Sequence, residues 1–258
     1  MRLEGDSSEP LFGFTVASGA DFDGDGRFDF AIGSCRSLAQ GGSQWLVHLV
    51  SSATGQQSWT REFAGDTEVG NSSSEQKLSG PLLVSPDVND DGVPELLVSQ
   101  RSSCGSDGKS TLTTLSGMDG AILREVETGG RNSQGELDLL DDLDADGVPD
   151  LVMGTCSCPE TLECLAVVSG RDGSAIRTLE NPEHWEGPSR YLGNSLVALD
   201  DLNGDGVRDY AAGLVMFYGP SVMPGEVWVL SGKDNSRIAT LTTEVVSSWP
   251  VGTGERDD

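Results

Sequence analysis

A nine-residue acidic segment that occurs four times constrains the fold of this chain more than any other feature. The copies read DFDGDGRFD at residues 21–29, DVNDDGVPE at 87–95, DLDADGVPD at 142–150 and DLNGDGVRD at 201–209. Each copy has Asp, Asn or Glu at its first, third, fifth and ninth positions and glycine at its sixth. In a tight turn, alternate side chains of this kind direct oxygen atoms toward one point, which is an arrangement that binds Ca²⁺.

Each segment therefore predicts one calcium site, to which the seventh residue contributes its backbone carbonyl. Turn-favouring Asp and Gly residues alone would explain one such segment, but not four with the same spacing. The predicted ligands are Asp21, Asp23, Asp25, Arg27 and Asp29 in the first loop, Asp87, Asn89, Asp91, Val93 and Glu95 in the second, Asp142, Asp144, Asp146, Val148 and Asp150 in the third, and Asp201, Asn203, Asp205, Val207 and Asp209 in the fourth.

The residues around the loops favour strands over helices. An EF-hand requires Glu at the twelfth position and a helix on each side, whereas the twelfth positions here hold Ile32, Val98, Met153 and Ala212. Short apolar segments that favour β-structure come before and after each loop. The predicted unit is therefore strand, calcium loop, strand, with the ion holding the base of a hairpin.

The rest of each repeat adds two more strands. Consecutive loops begin 66, 55 and 59 residues apart, and each hairpin is followed by a third apolar segment, a turn and a fourth segment. Repeats of this length with four strands each are typical of propeller blades. We therefore predict an all-β chain, a β-propeller of four four-stranded antiparallel blades within one domain, residues 1–258. The predicted blades cover about 11–63, 78–128, 134–180 and 191–243, and residues 244–258 form a tail.

The first and fourth repeats also carry the signature of a known family. Phe12-Gly13 precedes the first loop, Ala31-Ile32-Gly33 follows it, and Leu192-Gly193 precedes the fourth loop. At these positions the repeats resemble the FG-GAP repeats of integrin alpha-chain propellers and their bacterial relatives. The resemblance implies a calcium-binding propeller, although that family usually closes seven blades. Four repeats form either a small closed propeller or, as we favour, a portion of a larger ring with further blades of the same parent protein.

A formal net charge of −26 limits the partners of the chain. Its 42 acidic residues against 16 Lys and Arg leave no basic face for phosphate groups, so no nucleic-acid partner is expected. Docking on an anionic membrane is disfavoured for the same reason, and no apolar run is long enough for membrane insertion. The predicted ligands include 14 carboxylates, and four Ca²⁺ ions would change the charge to −18.

Calcium sites of this kind suggest a compartment rich in calcium. Sites of extracellular modules have dissociation constants of roughly 10⁻⁴ to 10⁻³ M. We therefore expect the protein to lie outside the cell, at the cell surface or in the periplasm. Residues 1–10 lack a basic start followed by an apolar stretch, so they do not resemble a secretory signal.

Cysteine spacing predicts a local disulfide. Three of the five cysteines lie within residues 156–164, and an oxidising compartment would favour a bond from Cys164 to either Cys156 or Cys158. The alternative is a zinc site formed by these three thiolates and His184, although the spacing is not common for zinc. The other two cysteines are Cys35 and Cys104.

Ligand recognition is expected on the face opposite the calcium loops. In a four-stranded meander, the inserts between second and third strands and the links between blades emerge there, and they contain Trp185, Phe217 and Tyr218. These side chains either bind a ligand or pack against neighbouring blades. We interpret the chain as an adhesion module for a protein or glycan ligand. The alternative is a purely structural segment of a large surface protein.

Signatures of catalysis are weak. The chain has two histidines, and His48 falls in a predicted strand, where we expect it to pack rather than to act as a base. No G-x-S-x-G segment is present, and the acidic loop residues are assigned to calcium. We therefore do not expect an enzyme. A propeller that acts on carbohydrates is a third alternative, by analogy of fold alone.

Overall fold

The structure is a computed structural model that describes residues 2–5, 7–9, 11–38, 43–63, 82–101, 110–127, 136–154, 163–180, 190–216 and 225–242. These residues form sixteen β-strands and no helix. None of the described part of the chain could therefore cross a membrane as a long apolar helix.

The strands form four sheets of four strands each, which we number in chain order. Sheet 1 contains β1 (Thr15–Ser18), β2 (Phe30–Ser37), β3 (Ser43–Val50) and β4 (Gln57–Phe63). Sheet 2 contains β5 (Leu82–Ser85), β6 (Glu95–Arg101), β7 (Ser110–Leu115) and β8 (Ile122–Glu127). Sheet 3 contains β9 (Leu137–Leu139), β10 (Leu151–Gly154), β11 (Glu163–Val168) and β12 (Ala175–Glu180). Sheet 4 contains β13 (Arg190–Ala198), β14 (Tyr210–Met216), β15 (Glu226–Leu230) and β16 (Arg237–Thr242).

Every sheet is an antiparallel meander in which the strands follow chain order. Each acidic loop connects the first strand of a sheet to the second, as the repeats predict. Strand register places equivalent residues side by side: Ala31 pairs with Leu49 in sheet 1, and Ala211 pairs with Val229 in sheet 4. The prediction of an all-β chain with four four-stranded antiparallel blades is confirmed.

Buried side chains join each sheet to the next. We call the face of a sheet that packs on the following sheet its forward face, and the opposite face its backward face. Because side chains alternate between the two faces of a strand, sheets 2 and 3 are buried on both faces, and both faces of their central strands contribute side chains to the buried clusters. Leu49 and Leu96 belong to one buried cluster between sheets 1 and 2, Leu97 and Met153 to one between sheets 2 and 3, and Val152 and Tyr210 to one between sheets 3 and 4. Among the described residues no buried cluster joins sheet 4 to sheet 1, so the sheets do not close into a ring.

One position of the fourth strand also connects each of the first three sheets to its successor. Its side chain donates a hydrogen bond to the carbonyl of a glycine that follows the third strand of the next sheet. The donor and acceptor atoms are Trp59 Nε1 and Gly117 O at 2.9 Å, Arg124 Nη1 and Gly170 O at 3.0 Å, and Arg177 Nη2 and Gly232 O.

Sheet 4 lacks this connection. Register places Ala239 opposite Val229, where the first three sheets have Trp or Arg, and alanine has no side-chain donor. On the same forward face, Val197, Val227 and Leu241 are 49%, 38% and 59% exposed. The forward face of sheet 4 is therefore exposed among the described residues, whereas the forward faces of the other three sheets are buried.

Candidate metal sites

The four acidic loops adopt one backbone conformation. The sixth residue of every loop is a glycine with φ between 86° and 88°, a left-handed conformation that residues with a Cβ rarely adopt. This turn brings its N–H onto the carboxylate of the first residue, at 2.7 Å in the first loop and 2.8 Å in the others. The carboxylates that close the loops in this way belong to Asp21, Asp87, Asp142 and Asp201.

In the first loop this hydrogen bond also affects the charge of the first carboxylate. The Gly26 N–H, with weaker help from other loop N–H groups, holds the pKa of Asp21 below its ordinary value. A low pKa suits a cation ligand, because a metal ion must displace any proton from the oxygen it binds.

The third and fifth side chains stabilise the loop through short-range turns. In the second loop, Asn89 Oδ1 accepts from the Asp91 N–H at 2.9 Å, and Asp91 Oδ1 accepts from the Val93 N–H at 2.8 Å. The fifth residue of the third loop, Asp146, accepts from the Val148 N–H at 2.8 Å. Such turns fix the direction of each side chain, so the oxygen positions are set before any ion binds.

The ninth side chain fastens the loop to the end of the third strand. Asp29 accepts from the N–H groups of Phe22 and Ser52, both at 2.9 Å. Asp150 and Asp209 make the same two kinds of contact at 2.7 to 3.3 Å. All three are buried, and burial raises the pKa of Asp150 despite these donors. In these loops the ninth residue is satisfied by the backbone.

The second loop departs from this arrangement because its ninth residue is Glu95. Glu95 Oε2 accepts from the Val88 N–H at 3.0 Å, but Glu95 Oε1 is buried and has no hydrogen-bond partner. Burial raises the pKa of Glu95 to about 7, and the charges of Asp87 and Asp91 add to that effect. A buried, unpartnered carboxylate oxygen beside two more carboxylates is unfavourable unless a cation joins them.

Three loops bring three carboxylates together, with one oxygen atom of each lying within 4.8 Å of the others. The groups are Asp21, Asp23 and Asp29 in the first loop, Asp87, Asp91 and Glu95 in the second, and Asp142, Asp144 and Asp146 in the third.

The fourth loop, which the structure describes in full, forms no such group from Asp201, Asp205 and Asp209. Asn203 replaces the third carboxylate, and its amide donates to Asp205 Oδ2 at 2.9 Å. That hydrogen bond is the main reason why the pKa of Asp205 lies below its ordinary value. The fourth loop therefore has the weakest convergence of charged ligands.

The remaining predicted ligands lie in the same loops without joining these groups. Asp25 Oδ1 accepts from the Arg27 N–H at 2.9 Å, so the fifth residue keeps the common turn. Coordination of an ion stays a prediction for every predicted ligand, including Asp25, Asn89 and Asp150 and the carbonyls of the seventh residues Arg27, Val93, Val148 and Val207.

Three residues that we did not select from the sequence contact the side chain or the carbonyl of the fifth residue of a loop. In the third loop, Ser169 Oγ donates to Asp146 Oδ2 at 3.3 Å and Arg171 Nη1 donates to Asp146 O at 2.5 Å. In the fourth loop, Ser231 Oγ donates to Asp205 Oδ2 at 3.0 Å. The signal in the sequence is a serine that directly follows the third strand of every repeat.

Two loops hold a strained backbone at their fourth position. Asp90 and Ala145 have φ of 63° and 60°, where the first and fourth loops have Gly24 and Gly204. Residues with a Cβ pay a conformational cost in this region. Asp90 and Ala145 nevertheless adopt this conformation, which indicates that the surrounding hydrogen bonds fix the loop shape.

Several predictions concern side chains outside the described part of the chain. Cys104, Cys156, Cys158 and His184 lie there, as does the side chain of Cys164, so the disulfide and the zinc alternative stay untested. The same applies to Trp185, Phe217 and Tyr218. Cys35 is buried in the core between sheets 1 and 2. His48 is buried in β3, and its ring lies 2.8 Å from Ser34 Oγ and 2.9 Å from Thr60 Oγ1.

Comparison with known proteins identifies the repeat type. Residues 12–38 match the FG-GAP repeat family model, which confirms the resemblance of the first repeat. Together with four four-stranded meanders, this match defines a β-propeller repeat domain. No curated protein sequence matches the chain.

Comparison with solved structures gives matches of low sequence identity. Rhamnogalacturonan lyase YesW is 17% identical with a TM-score of 0.47, and the match covers 84% of this chain and 46% of that one. Rhamnogalacturonan lyase PL11 of Bacillus licheniformis is 17% identical with a TM-score of 0.44 and the same coverage. An ACO/RPE65 chimera is 12% identical with a TM-score of 0.44, covering 92% of this chain and 62% of that one. The chain thus spans less than two thirds of the length of these proteins.

Proposed function

We propose that the protein is a calcium-stabilised, extracellular β-propeller module that binds a protein or glycan and is not an enzyme. The observation that carries the calcium part is Glu95 Oε1, a buried carboxylate oxygen without a partner that belongs to a group with Asp87 and Asp91. A cation at that point would satisfy the oxygen and cancel the repulsion within the group.

The donor set favours Ca²⁺ over other metals. All predicted ligands are carboxylate, amide or backbone oxygens, which are the ligands of hard cations and not of zinc or copper. Mg²⁺ requires near-ideal octahedral geometry and retains several waters, whereas Ca²⁺ accepts six to eight oxygens from a flexible loop. Nine-residue loops with five oxygen-bearing positions fit the second description.

A structural role follows from where the loops are attached. Each loop joins the first two strands of a sheet, and its ninth residue contacts the end of the third strand in three repeats. When an ion binds only the folded loop, it stabilises the sheet by about 2.7 kcal/mol at a hundredfold excess over its dissociation constant. Four sites of this kind would make folding depend on calcium.

Thermal unfolding in calcium and in chelator tests this proposal. We expect chelator to lower the melting temperature and Mg²⁺ to restore it only in part. Glu95→Gln should raise the melting temperature in chelator, because it removes an unpaired buried charge. It should also reduce the increase in melting temperature that calcium produces. Asp119→Asn, which removes a carboxylate from an exposed turn outside the loops, is the control and should leave the calcium gain unchanged. Equal melting curves with and without calcium would contradict the proposal.

The recognition part rests on the sequence, which predicts that the inserts emerge opposite the loops and carry aromatic side chains of the kind that is enriched at binding sites. Glycan arrays and panels of extracellular matrix proteins, probed with calcium-loaded protein, test it directly. We expect a defined class of ligand whose binding is lost in chelator. A calcium-stabilised protein that binds nothing on these panels would contradict recognition while leaving the calcium sites intact, as expected of a structural segment.

A further inference from the structure

A basic side chain reaches the acidic loop in the third and fourth repeats. Arg171 Nη1 donates to Asp146 O at 2.5 Å, and Lys233 Nζ donates to Asp205 O at 3.3 Å. Both basic residues are exposed, and each lies two positions after the serine that follows the third strand. Because the acceptor is the carbonyl of the fifth loop residue, a positive charge lies against the backbone of a predicted calcium ligand.

The first and second repeats have no basic residue at the equivalent position, where the sequence has Ala53 and Met118. In these two repeats the ninth carboxylate, Asp29 or Glu95, belongs to the group of three carboxylates. In the third repeat the group lacks the ninth residue, and the fully described fourth loop forms no group. The basic side chain is therefore found in the two loops whose ninth carboxylate does not join a group.

The second and fourth loops are a matched pair for this comparison, because both have Asp, Asn and Asp at the first, third and fifth positions and a carboxylate at the ninth. In the second loop, Glu95 Oε1 is buried without a hydrogen-bond partner, which points to a cation at that site. In the fourth loop, Asp209 accepts from the N–H groups of Leu202 and Gly232. The second loop therefore lacks a compensation of charge that donors and Lys233 provide in the fourth.

We propose that Arg171 and Lys233 are built-in cations that set the calcium affinity of the third and fourth loops, an inference that rests on the calcium-binding function proposed above. Each positive charge reduces the repulsion among the loop carboxylates when no ion is bound, and it repels Ca²⁺ when the ion binds. The fourth loop therefore depends less on calcium for its shape than the second loop does. It also binds the ion more weakly.

The sixth glycine of each loop is a separate reporter of its own site, because its N–H donates to the first carboxylate of that loop. NMR spectra of the chain with nitrogen-15 in its glycines, recorded from chelator into increasing calcium, give a midpoint for each loop. The reporters are Gly26, Gly92, Gly147 and Gly206. We expect Gly92 to respond at a lower calcium concentration than Gly206.

Exchanging the residues at the two equivalent positions should move these midpoints in opposite directions. Lys233→Met should lower the midpoint of Gly206 by about threefold to tenfold, as expected for a unit charge a few ångströms from a divalent ion in a hydrated site. Met118→Lys should raise the midpoint of Gly92 by a similar factor. Each substitution should leave the other loop unchanged, and high salt should reduce both shifts because it screens exposed charges.

Two further variants are controls for the charge of Lys233. Lys233→Arg keeps the charge and should leave the midpoint of Gly206 within about twofold of the wild-type value. Arg2→Met removes an exposed positive charge that pairs with Glu4 outside the loops, and it should move no midpoint.

Thermal unfolding in chelator gives a readout that does not depend on a bound ion. Lys233→Met should lower the melting temperature there, because it restores the repulsion among Asp201, Asp205 and Asp209, and it should cost less in calcium. Met118→Lys should raise the melting temperature in chelator. A lysine that only stabilised the fold would give the same loss with and without calcium.

A Gly206 midpoint that Lys233→Met leaves in place, while the glycines of the loops still respond to calcium, would overturn this inference and leave the calcium proposal intact. An equal loss of stability with and without calcium would do the same. If no loop glycine responded to calcium, the calcium proposal would itself be wrong, and this inference with it.

Discussion

Phe22 and Leu202 are both the second residue of an acidic loop, yet their environments are opposite. Phe22 is 7% exposed and packs on the next sheet, in contact with Gly117, whereas Leu202 is 57% exposed because no described sheet follows sheet 4. The same comparison holds along the sheets themselves, where Val47 is buried and its equivalent Val227 is exposed. The position of a residue within the repeat therefore sets the direction of its side chain. Whether another sheet packs there decides how much that side chain contributes to stability.

The largest expected difference between the two repeats comes from these second residues. Phe22→Ala should cost about 3–5 kcal/mol, because it leaves a cavity between sheets 1 and 2. Leu202→Ala should change stability by about 0.5 kcal/mol or less, since it removes exposed surface. Urea denaturation in calcium measures both. Similar costs would show that sheet 4 is covered in solution, and the contrast between the two ends would fail.

The second loop should make the stability of the folded chain depend on pH when calcium is absent. The pKa of Glu95 is about 7 in the folded chain, against an ordinary value of 4.5, so the folded state retains a proton that the unfolded state has released. This stabilising contribution is fully present below pH 4.5 and is lost as pH rises to about 7, a decrease of at most about 3 kcal/mol.

Stability measured in chelator between pH 5 and 8 checks this decrease. Glu95→Gln should make the profile flatter, and calcium should oppose the loss because the ion competes with the proton for the same oxygens. A wild-type profile that coincides with that of Glu95→Gln would show that the unpartnered oxygen has no energetic consequence.

The side-chain hydrogen bonds between sheets give a smaller contrast. Trp59→Phe keeps the ring but loses the donor to Gly117 O, and it should cost about 1–2 kcal/mol. Ala239→Arg restores a donor at the equivalent position of sheet 4, where no described acceptor faces it, and should stay within about 0.5 kcal/mol of wild type. A clear gain from Ala239→Arg would reveal an acceptor on that side.

The smallest effect compares the fourth positions of loops three and four. Ala145→Gly should stabilise by about 0.5–1 kcal/mol by relieving a left-handed alanine, and Gly204→Ala should destabilise by about 1 kcal/mol. No heavy atom lies within 4 Å of a Cβ at Gly204, so the second effect is purely one of backbone conformation. Opposite signs in paired calorimetric measurements are the expected result, and equal signs would contradict this account.

Much of the architecture could be predicted from the sequence because interactions between residues close together in the chain specify the repeat. Glycine at the sixth loop position and Asp at the first specify one turn, and the apolar segments on both sides specify a hairpin. The close approach of three carboxylates in each of loops one to three follows from the same local spacing. The role of Asp150 and Asp209 was not, because their partners Gly170 and Gly232 are 20 and 23 residues away.

The sequence by itself determined the number of repeats, the strand order within each sheet and the shape of the loops, since all of these depend on residues close together in the chain. Only the tertiary structure decided which equivalent residues are buried. Phe22 and Leu202, or Trp59 and Ala239, have different environments because a described sheet packs on sheet 1 at these positions and no described sheet does so on sheet 4. Likewise, no local pattern indicates that Glu9 lies buried beside His48, since the two residues are far apart in the chain and only the folded sheet brings them together.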